Sequence, residues 1–382
     1  MYDLVIIGGG VWGTSAALAA VEQHMGKVLL VESNPYVAGE SSAKAGGIVS
    51  DFVAHSDDQV WVAKSRELFL RAQAVSGDST MIQKNGMISL CTPEEFHALQ
   101  SQTQSLRDRG IPVEVWDANE ARHHYPDLDG ISPETMAIWT PEDWHVNPTA
   151  YAQAVLGLAR NRGLDVRMSC RISAIRVESH SVVLECPDGP IHADRVLVAA
   201  GTWTRKLVRT AGSDIPFLPY RTQLASLDFP GGCHLPIVRE LSSDIYLVPD
   251  GAHNLLAGDG TRLWEHDPDD YQTTGDDEFE ADIATGVMRL MLSKGGTAQL
   301  RRSWAGLCGA TPDRRPLIGS VLDRLYIACG DNGFGIKRGP AIGELAVQMA
   351  MGTADAVPHL DPHRFPPVDF PLRPGSGGTF NN

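Results

Sequence analysis

Three glycines near the amino terminus have the spacing of a dinucleotide-binding turn. Gly8, Gly10 and Gly13 follow the apolar run 4–7 in a G-x-G-x-x-G pattern. The first glycine permits a tight turn, the second lets the backbone approach a pyrophosphate, and the third lets a helix pack closely on the strand. The helix that follows would offer its unpaired N-terminal N–H groups to phosphate oxygens. These residues therefore predict a nucleotide site.

An acidic residue at the end of the next strand completes the pattern. Residues 14–21 are small and apolar and predict a helix, and residues 28–31 predict a second buried strand. Glu32 closes that strand, nineteen residues after Gly13. A carboxylate there accepts hydrogen bonds from a ribose diol and would repel a 2′-phosphate, which disfavours NADP. The β-α-β unit predicts a Rossmann-like domain, and by itself leaves FAD and NAD open.

Two further segments suit the same site. The small, polar loop 33–50 can supply N–H and hydroxyl donors to phosphate or to a flat ring. The glycine-rich turn 330–335 opens a second helix, whose positive dipole end can stabilise an anion. A further apolar strand, 196–200, ends in Gly201 about 190 residues after the first glycine turn.

Together these segments resemble the D-amino-acid oxidase superfamily of flavoproteins, nearest its glycine oxidase and monomeric sarcosine oxidase members. The early serine and glycine loop, residues 195–203 and the stretch 303–319 match the superfamily's signatures in order across nearly the whole chain. The resemblance implies FAD rather than NAD. It implies non-covalent FAD, because Cys308 lies a few residues before the place that matches the flavin-linking cysteine of sarcosine oxidase.

The resemblance, together with the glycine fingerprint, predicts which residues bind FAD. They are Gly8, Gly10, Val11, Trp12, Gly13, Glu32, Ser33, Ser41, Ser42, Lys44, Ala45, Gly46, Gly47, Ile172, Ala200, Gly201, Trp203, Gly306, Gly330, Asn332, Gly333, Phe334, Gly335, Ile336 and Lys337.

The positions that bind substrate in the family are only partly kept. The arginine of glycine oxidase falls on Cys308, and the early arginine of sarcosine oxidase falls on Ser50. The lysine of sarcosine oxidase is matched by Lys337, and Tyr246 matches a tyrosine that faces the substrate. The resemblance therefore implies that Lys337 and Tyr246 act on the substrate. Further candidates for an anion partner are Arg302, Arg221 and Arg262.

The implied reaction is oxidation of a C–N bond beside a carboxylate in a small amine or amino acid. Hydride would pass from carbon to flavin N5, the imine would hydrolyse, and oxygen or another carrier would accept the electrons. A second hypothesis is oxidation of a 2-hydroxy acid, which wants a base such as His55 or His145. A third is a flavin-holding subunit of a multi-subunit dehydrogenase.

Composition narrows the function classes. The 382 residues are 43% hydrophobic and 21% charged, which is typical of a water-soluble globular protein. The net charge of −15 argues against nucleic acid as a partner. The short apolar runs and the early first strand predict no membrane span, no signal peptide and a cytoplasmic protein. The scattered cysteines and histidines predict free thiols and no metal site, while an oligomer remains open.

The expected fold class is α/β, with a doubly wound FAD-binding sheet interleaved with an α+β substrate domain on a mixed, largely antiparallel sheet. The FAD-binding domain is predicted over 1–80, 145–215 and 305–357, the substrate domain over 81–144 and 216–304, and a loose tail over 358–382. Two local patterns predict a helix capped by Asp57 and a hairpin turning at Asn85 and Gly86.

Overall fold

The structure, a computed structural model, describes residues 1–53, 55–265 and 267–365. The strands form two large sheets and one small one, and helices pack against the first large sheet. The helices of the described residues are α1 (Val11–Glu22), α2 (Gln59–Ser76), α3 (Pro93–Asp108), α4 (Ala118–His124), α5 (Pro148–Arg160), α6 (Thr204–Thr210), α7 (Asp277–Leu290) and α8 (Gly335–Met351).

The described strands form three sheets, which are described in turn below. They are β1 (Tyr2–Ile7), β2 (Val28–Val31), β3 (Ile48–Val49), β4 (Ile82–Gln83), β5 (Met87–Cys91), β6 (Glu114–Asp117), β7 (Met136–Thr140), β8 (Trp144–Val146), β9 (Asp165–Arg167), β10 (Ala174–Val177), β11 (Val182–Glu185), β12 (Ile191–Val198), β13 (Leu218–Asp228), β14 (Ile237–Glu240), β15 (Tyr246–Pro249), β16 (Asn254–Gly258), β17 (Leu263–Trp264), β18 (Gln299–Ala310), β19 (Leu317–Leu322) and β20 (Leu325–Cys329).

The first sheet has a parallel centre. Its order is β10-β11-β12-β1-β2-β9, with β20 also beside β12 and β19 at the edge beyond β20. β1 runs parallel to both β2 and β12, and β12 runs parallel to β20. The inner strands are apolar along nearly their whole length, as expected where helices cover both faces. The carboxyl ends of β1, β12 and β20 therefore meet at one edge.

Two helices that begin at this edge pack closely on each other. A Cβ atom at Gly343 of α8 would clash with the carbonyl oxygen of Trp12 in α1. The Nε1 of Trp12 donates to the carbonyl of Gly335, where α8 begins, at 2.8 Å. The N-termini of α1 and α8 are thus held side by side at the same end of the sheet.

The second sheet is mostly antiparallel. It has nine strands in the order β17-β13-β16-β15-β14-β5-β7-β6, with β18 paired along β13. All but one of the strand pairings are antiparallel; β14 and β5 run parallel. α7 packs against this sheet through residues spaced by about one helical turn, Phe279, Ile283, Val287 and Leu290. This arrangement matches the predicted mixed, largely antiparallel substrate sheet.

The hairpin predicted at Asn85 and Gly86 is wrong. β4 and β5, which flank this turn, belong to different sheets: β4 pairs with β8, and β5 pairs with β7 and β14. β3, β8 and β4 form a separate three-stranded sheet. Gly86 has φ +64°, and a Cβ atom there would clash with the Trp139 ring. The glycine therefore marks a crossing between sheets, because long-range partners outweigh the local turn signal.

The capping prediction at Asp57 is also wrong. Asp58 occupies the N-cap position of α2, and its side chain makes no capping hydrogen bond. Asp57 instead pairs with Arg315 at 2.7 Å, and Asp58 pairs with Arg338. Both carboxylates bind cations that lie more than 250 residues away in sequence, which no local pattern reveals.

The start of the tail is packed rather than loose. Leu360 is fully buried, and Arg364 makes two hydrogen bonds to the Asp313 carboxylate, at 2.8 and 2.9 Å. Residues 366–382 of the predicted tail lie outside the described residues. The rest of the domain division stays a prediction, and β18 runs in the second sheet to Ala310, beyond the predicted boundary at 305.

Candidate active site

A cavity of about 620 Å³ lies where β1, β12 and β20 end. Its walls include residues from four segments: the first glycine turn, the loop 33–50 (the serine loop), the strand end near Gly201 and the turn before α8. The predicted residues that line it are Gly8, Gly10, Val11, Trp12, Glu32, Ser33, Ser41, Ser42, Ala45, Ile172, Ala200, Gly201, Trp203, Gly330, Gly333, Gly335 and Ile336. The segments that the sequence singled out therefore surround one space.

The first glycine turn has the close approaches that its motif requires. Gly8 has φ +109°, and a Cβ atom there would clash with the carbonyl oxygen of Ala199. A Cβ atom at Gly13 would clash with the carbonyl oxygen of Gly8, so Gly13 supports the turn although it does not line the cavity. α1 begins at Val11 without a side-chain cap from Gly10. Its N-terminus is thus suited to phosphate.

Glu32 both lines the cavity and braces the loops around it. Its Oε2 accepts from the Gly9 N–H at 2.6 Å, and its Oε1 accepts from the Asn34 N–H at 2.7 Å. The Ser33 hydroxyl also donates to Oε1, at 3.1 Å. A carboxylate offers about four acceptor sites, so this one retains acceptor capacity toward the cavity for a ribose hydroxyl.

At the end of the cavity near Trp203, a cluster of charges comes from segments far apart in sequence. The Asp269 carboxylate accepts from the Trp203 indole at 2.7 Å, from Arg171 at 2.6 Å and from Lys206 at 2.6 Å. All four residues line the cavity. Hydrogen bonds from Lys206, Arg171 and Trp203 outweigh partial burial and lower the pKa of Asp269. No local pattern predicts this cluster, since the acidic stretch containing Asp269 has no periodic pattern.

The turn before α8 is fixed by its own polar side chains. Asp331 accepts from the N–H groups of Gly309, at 2.7 Å, and Gly333, at 3.0 Å. Asn332 does not line the cavity but holds the turn through the Thr311 N–H at 2.9 Å. Gly330 and Gly333 have φ of +85° and +80°. The turn thus presents backbone and the N-terminus of α8 to the cavity.

The cysteine that replaces the family's arginine lies in the wall. Cys308 and Asp331 both line the cavity. Burial and the neighbouring Asp331 carboxylate raise the pKa of the Cys308 thiol well above its ordinary value. Cys308 is therefore a protonated thiol and a poor nucleophile at neutral pH.

Lys337 is buried immediately behind the cavity lining. It follows Ile336, which lines the cavity, and only 5% of Lys337 is exposed. Its ammonium donates to the Ser50 hydroxyl at 2.6 Å and to the Phe52 carbonyl at 3.0 Å. An ammonium has three donors, so one is left over from these two bonds. Burial lowers the pKa of Lys337 to about 7, against the opposing effect of the Asp143 carboxylate.

A buried ion network lies next to Lys337. Arg66 bridges Asp51 at 2.6 Å and Asp143 at 3.1 Å. Burial and the Asp51 charge raise the pKa of Asp143 to about 6. These groups keep the loop 50–52, which accepts both hydrogen bonds from Lys337, in a fixed position. The sequence indicated Lys337 and Ser50 as family positions, but it could not show that they contact each other.

The other predicted substrate residues lie in different places. Tyr246 on β15 lies over Gly258, and a Cβ atom added at Gly46 would be 3.4 Å from its ring, so it faces the serine loop. Arg302 on β18 is exposed, stacks over the Trp304 ring at 4.7 Å and does not line the cavity. The roles of both residues stay predictions.

The remaining predicted cofactor residues do not line the cavity. Lys44 hydrogen-bonds to Tyr271 at 2.6 Å and Glu40 at 3.0 Å, and Gly306 packs against its stem. Predicted residues that do not line the cavity are Gly13, Lys44, Gly46, Gly47, Gly306, Asn332, Phe334 and Lys337. Lining residues that were not predicted are Ile7, Gly9, Val31, Asn34, Ala38, Gly39, Glu40, Cys170, Arg171, Ser173, Ala199, Lys206, Leu207, Asp269, Cys308, Ala328, Cys329 and Asp331.

Neither histidine considered as a base lines the cavity. The His55 Nε2 lies 2.9 Å from the carbonyl oxygen of Asp313. His145 is buried beside Gly47, and burial lowers the pKa of its imidazole. In the part of the chain that the structure describes, no group of His, Cys, Asp or Glu residues could hold a metal ion. No described helix is both long and apolar enough to cross a bilayer.

Comparisons with known proteins agree with this geometry. The profile of a family described as FAD dependent oxidoreductase matches residues 3–349. The chain is 29% identical over 366 residues to 4-methylaminobutanoate oxidase (formaldehyde-forming) of Paenarthrobacter nicotinovorans, covering 91% of this chain and 44% of that protein. It is 25% identical to glycine oxidase of Geobacillus kaustophilus, over 91% and 92% of the two chains. The chain thus spans less than half of the first relative and nearly all of the second.

The fold is shared with solved flavoenzyme structures. The crystal structure of L-proline dehydrogenase from P. horikoshii superimposes with a TM-score of 0.86 at 22% identity, over 95% of this chain and 97% of that one. The predicted fold class and the predicted FAD cofactor are confirmed. The glycine turn, the two helix N-termini and the acidic Glu32 all fit FAD in the cavity. The chain therefore belongs to the family of FAD-dependent oxidoreductases that includes the glycine and sarcosine oxidases.

Proposed function

We propose that the chain oxidises the C–N bond of a small amino acid or N-alkyl amino acid. When bound, FAD supplies the hydride acceptor for this chemistry. The observation that carries the proposal is that neither His55 nor His145 lines the cavity. An alcohol needs a base to take its hydroxyl proton, whereas the lone pair of a neutral amine drives hydride loss without one. The arrangement therefore favours amine oxidation over oxidation of a 2-hydroxy acid.

The relatives support the same choice. The first is named as an oxidase that forms formaldehyde from a methylamino acid, and several others as glycine oxidases. Sarcosine and dimethylglycine dehydrogenases match as well, over smaller parts of their own length. These names all describe amino acids or N-methyl amino acids. Oxygen and other carriers both occur as acceptors in such enzymes, and either suits the proposal.

Lys337 is the proposed anchor for the substrate carboxylate. Its third donor remains after the bonds to Ser50 and Phe52, and the adjacent Ile336 lines the cavity. Tyr246, which faces the serine loop, is the second proposed substrate residue. The protein's contribution is then to fix the substrate carbon over the ring and to stabilise negative charge at the N-terminus of α8.

We propose that FAD is held without a covalent bond. Two cysteines lie in the cavity wall near α8 in the described part of the chain: Cys308 on β18 and Cys329 at the end of β20. Burial raises the pKa of both thiols well above neutral pH, so neither is a thiolate that could attack a flavin.

Matched substrate pairs test the proposed function. The purified chain is given an N-methyl amino acid or its 2-hydroxy acid counterpart, with a dye or oxygen as acceptor. We expect turnover of the amine, with release of an aldehyde or a 2-oxo acid. Turnover of the hydroxy acid alone would overturn the proposal in favour of alcohol oxidation. Turnover of neither, with FAD bound, would favour a flavin-holding subunit.

A further inference from the structure

A short acidic turn between β17 and α7 reaches the cavity. Residues 267–271, here named the strap, read Asp-Pro-Asp-Asp-Tyr. β17 pairs with β13 of the second sheet, and α7 packs against the same sheet. Asp269 of the strap lines the cavity, as do the glycine turn and the strand ends of the first sheet. The strap therefore brings a part of the chain attached to the second sheet to the FAD site.

The strap has the residues of a tight turn. Aspartate is favoured at the first position of a type I turn and proline at the second. The Asp267 carboxylate accepts from the Asp269 N–H at 3.0 Å, and the Asp267 carbonyl accepts from the Asp270 N–H at 3.1 Å. Pro268 is buried although its neighbours in the strap are exposed. The turn is thus ordered by its own hydrogen bonds and fixes the backbone that carries the Asp269 side chain.

The chain on both sides of the strap is anchored on β13. The buried Arg221 lies 3.6 Å from the Glu265 carboxylate and 3.2 Å from the Asp276 carboxylate. The N–H of Glu265 donates to the Pro219 carbonyl at 3.1 Å. The N–H of Asp276 donates to the Gln223 side chain at 2.8 Å. Arg221, one of the candidates for an anion partner, thus already has two carboxylate partners, and the strap stands between them in sequence.

Asp269 joins the strap to the wall of the cavity. Its carboxylate accepts hydrogen bonds from three donors, Arg171 at 2.6 Å, Trp203 at 2.7 Å and Lys206 at 2.6 Å. All three donors line the cavity. Lys206 also donates to both carboxylate oxygens of Asp267, at 3.0 and 3.1 Å. An isolated exposed ion pair contributes little, but one carboxylate that holds two cations and an indole makes a stronger, charge-assisted contact.

This contact lies beside the carboxylate that suits a ribose. Arg171 belongs to the segment 170–173, all of which lines the cavity. The N–H of Cys170 in that segment donates to the backbone carbonyl of Glu32 at 2.9 Å. Asp269 lines the cavity and is also exposed to solvent. The strap therefore borders solvent beside the part of the cavity that suits the ribose of FAD.

A second contact joins the strap to the serine loop. The Tyr271 hydroxyl accepts from the Lys44 ammonium at 2.6 Å. Lys44 also donates at 3.0 Å to Glu40, which lines the cavity. The same loop reaches the start of α1, where the Ser42 hydroxyl accepts from the Val11 N–H at 3.2 Å. The strap is thus bonded to two of the segments that surround the cavity.

We propose that the strap retains FAD, and that the cofactor leaves the cavity only when the contacts of Asp269 and Tyr271 open. Both residues then belong to the cofactor site, although neither lies in a glycine motif. Release of a ligand behind such a segment is limited by the opening of the segment. This role concerns the cofactor alone and goes beyond the proposed reaction.

Exchange of bound FAD tests the proposal on the holoenzyme. The holoenzyme is mixed with excess isotopically labelled FAD, and the label on the protein is measured over time after rapid gel filtration. Asp269→Ala removes the contact with three donors, and Tyr271→Phe removes the hydroxyl that binds Lys44. Asp270→Ala is the matched control, because Asp270 is an exposed carboxylate of the same strap whose side chain makes no hydrogen bond or ion pair with the described residues.

We expect FAD to exchange at least about tenfold faster from Asp269→Ala than from the parent enzyme, the scale of one hydrogen bond to a charged group. Tyr271→Phe should also speed exchange, and Asp270→Ala should leave the rate unchanged. Raising the salt concentration from about 0.01 to about 1 M shortens the range of charge interactions from about 30 to about 3 Å. It should therefore speed exchange more in the parent enzyme than in Asp269→Ala.

Three results would overturn the proposal. The first is exchange from Asp269→Ala at the parent rate. The second is an equal acceleration in Asp270→Ala, since loss of negative charge rather than loss of the contact would then explain both. The third is FAD that stays on the chain after denaturation, because a covalent bond would then retain it. If Asp269→Ala does not fold, Tyr271→Phe decides: faster exchange supports the strap, and an unchanged rate contradicts it.

The exchange measurement uses no substrate, so its outcome is independent of the proposed function. If FAD exchange is accelerated as expected but no amine is oxidised, the strap retains FAD and the proposed function is wrong. If amines reduce the flavin but Asp269→Ala exchanges FAD at the parent rate, the proposed function stands and the strap does not retain the cofactor.

Discussion

Lys337 shows how burial changes the chemistry of a residue. The sequence predicts that Lys337 acts on the substrate, but it cannot predict the pKa of the buried side chain. In water a lysine is charged at every physiological pH, and its stem is flexible. Here the Ser50 hydroxyl and the Phe52 carbonyl fix the ammonium, and burial lowers its pKa to about 7. A lysine with that pKa is protonated below neutral pH and loses its charge above it.

This lowered pKa predicts a pH dependence of substrate binding. The protonated ammonium attracts the substrate carboxylate, so kcat/KM of the free enzyme should fall as the pH rises through about 7. Lys337→Met should raise KM at least about tenfold at pH 6, the scale of a hydrogen bond to a charged group, and should remove this descending limb. FAD affinity should change little. The measurement is a pH series of initial rates, with flavin fluorescence for FAD affinity.

Lys64→Met provides the control, because Lys64 is an exposed lysine on α2 whose ion pair within the described part of the chain is with Glu67 at 3.5 Å. Its KM and pH profile should match those of the parent enzyme. An unchanged KM in Lys337→Met would remove Lys337 from the substrate site. Loss of FAD with no change in KM would assign the lysine to the cofactor instead.

Two helices are joined by a buried ion pair. Arg338 near the start of α8 pairs with Asp58 at the N-cap of α2, and their side chains are 1% and 2% exposed. Arg338 also donates to the carbonyl of Asp331 at 3.2 Å, in the turn that borders the cavity. The pair thus fixes α2 against the end of α8 that faces the cofactor. Removing one partner would leave the other charge buried without compensation.

Asp58→Asn should therefore lower the free energy of unfolding by about 3–5 kcal/mol, as for other broken buried pairs. Asp57→Asn, the same change one residue earlier, breaks a partly exposed pair with Arg315 and should cost less than about 1 kcal/mol. Urea unfolding followed by circular dichroism, with FAD saturating in each sample, measures both. Equal losses in the two variants would contradict the structural role assigned to the Asp58–Arg338 pair.

The elements show what sequence patterns can and cannot predict. The β-α-β unit around Gly8 and Glu32 is local, so its strands, helix and turn follow from composition and spacing. The Thr92 capping box at the start of α3 is local too, because it joins Thr92 to Glu95 three residues later. Asp58 and Gly86 behave differently, because their partners Arg338 and Trp139 come from distant segments.

The same contrast between local motifs and long-range contacts applies to the residues of the candidate site. Residues in glycine motifs were predicted one by one, since each is required by a turn or a close approach. Asp269 was not, because its partners Trp203 and Lys206 come near it only in the folded chain. Arg302 shows the opposite case: it was predicted because it lies next to a signature segment, yet its side chain is exposed and does not line the cavity.

At the scale of the molecule, the two sheets contribute different residues to the candidate site. The first sheet presents strand ends and helix N-termini, which suit a dinucleotide, to a cavity of about 620 Å³. The second sheet contributes Tyr220, whose hydroxyl lies beside Gly333 in the turn before α8, Cys308, which lines the cavity, and Tyr246, whose ring lies beside Gly46. The overall charge of −15 repels free anions, so we propose that recognition of an anionic substrate depends on a local cation, Lys337.

The most direct test is anaerobic reduction of the bound flavin. The purified chain is mixed, without oxygen, with N-alkyl amino acids and with the corresponding 2-hydroxy acids. The account predicts that the visible flavin absorbance bleaches with an N-alkyl amino acid and persists with the hydroxy acids. A flavin that is reduced only by the hydroxy acids, or a chain that binds no FAD at all, would contradict it.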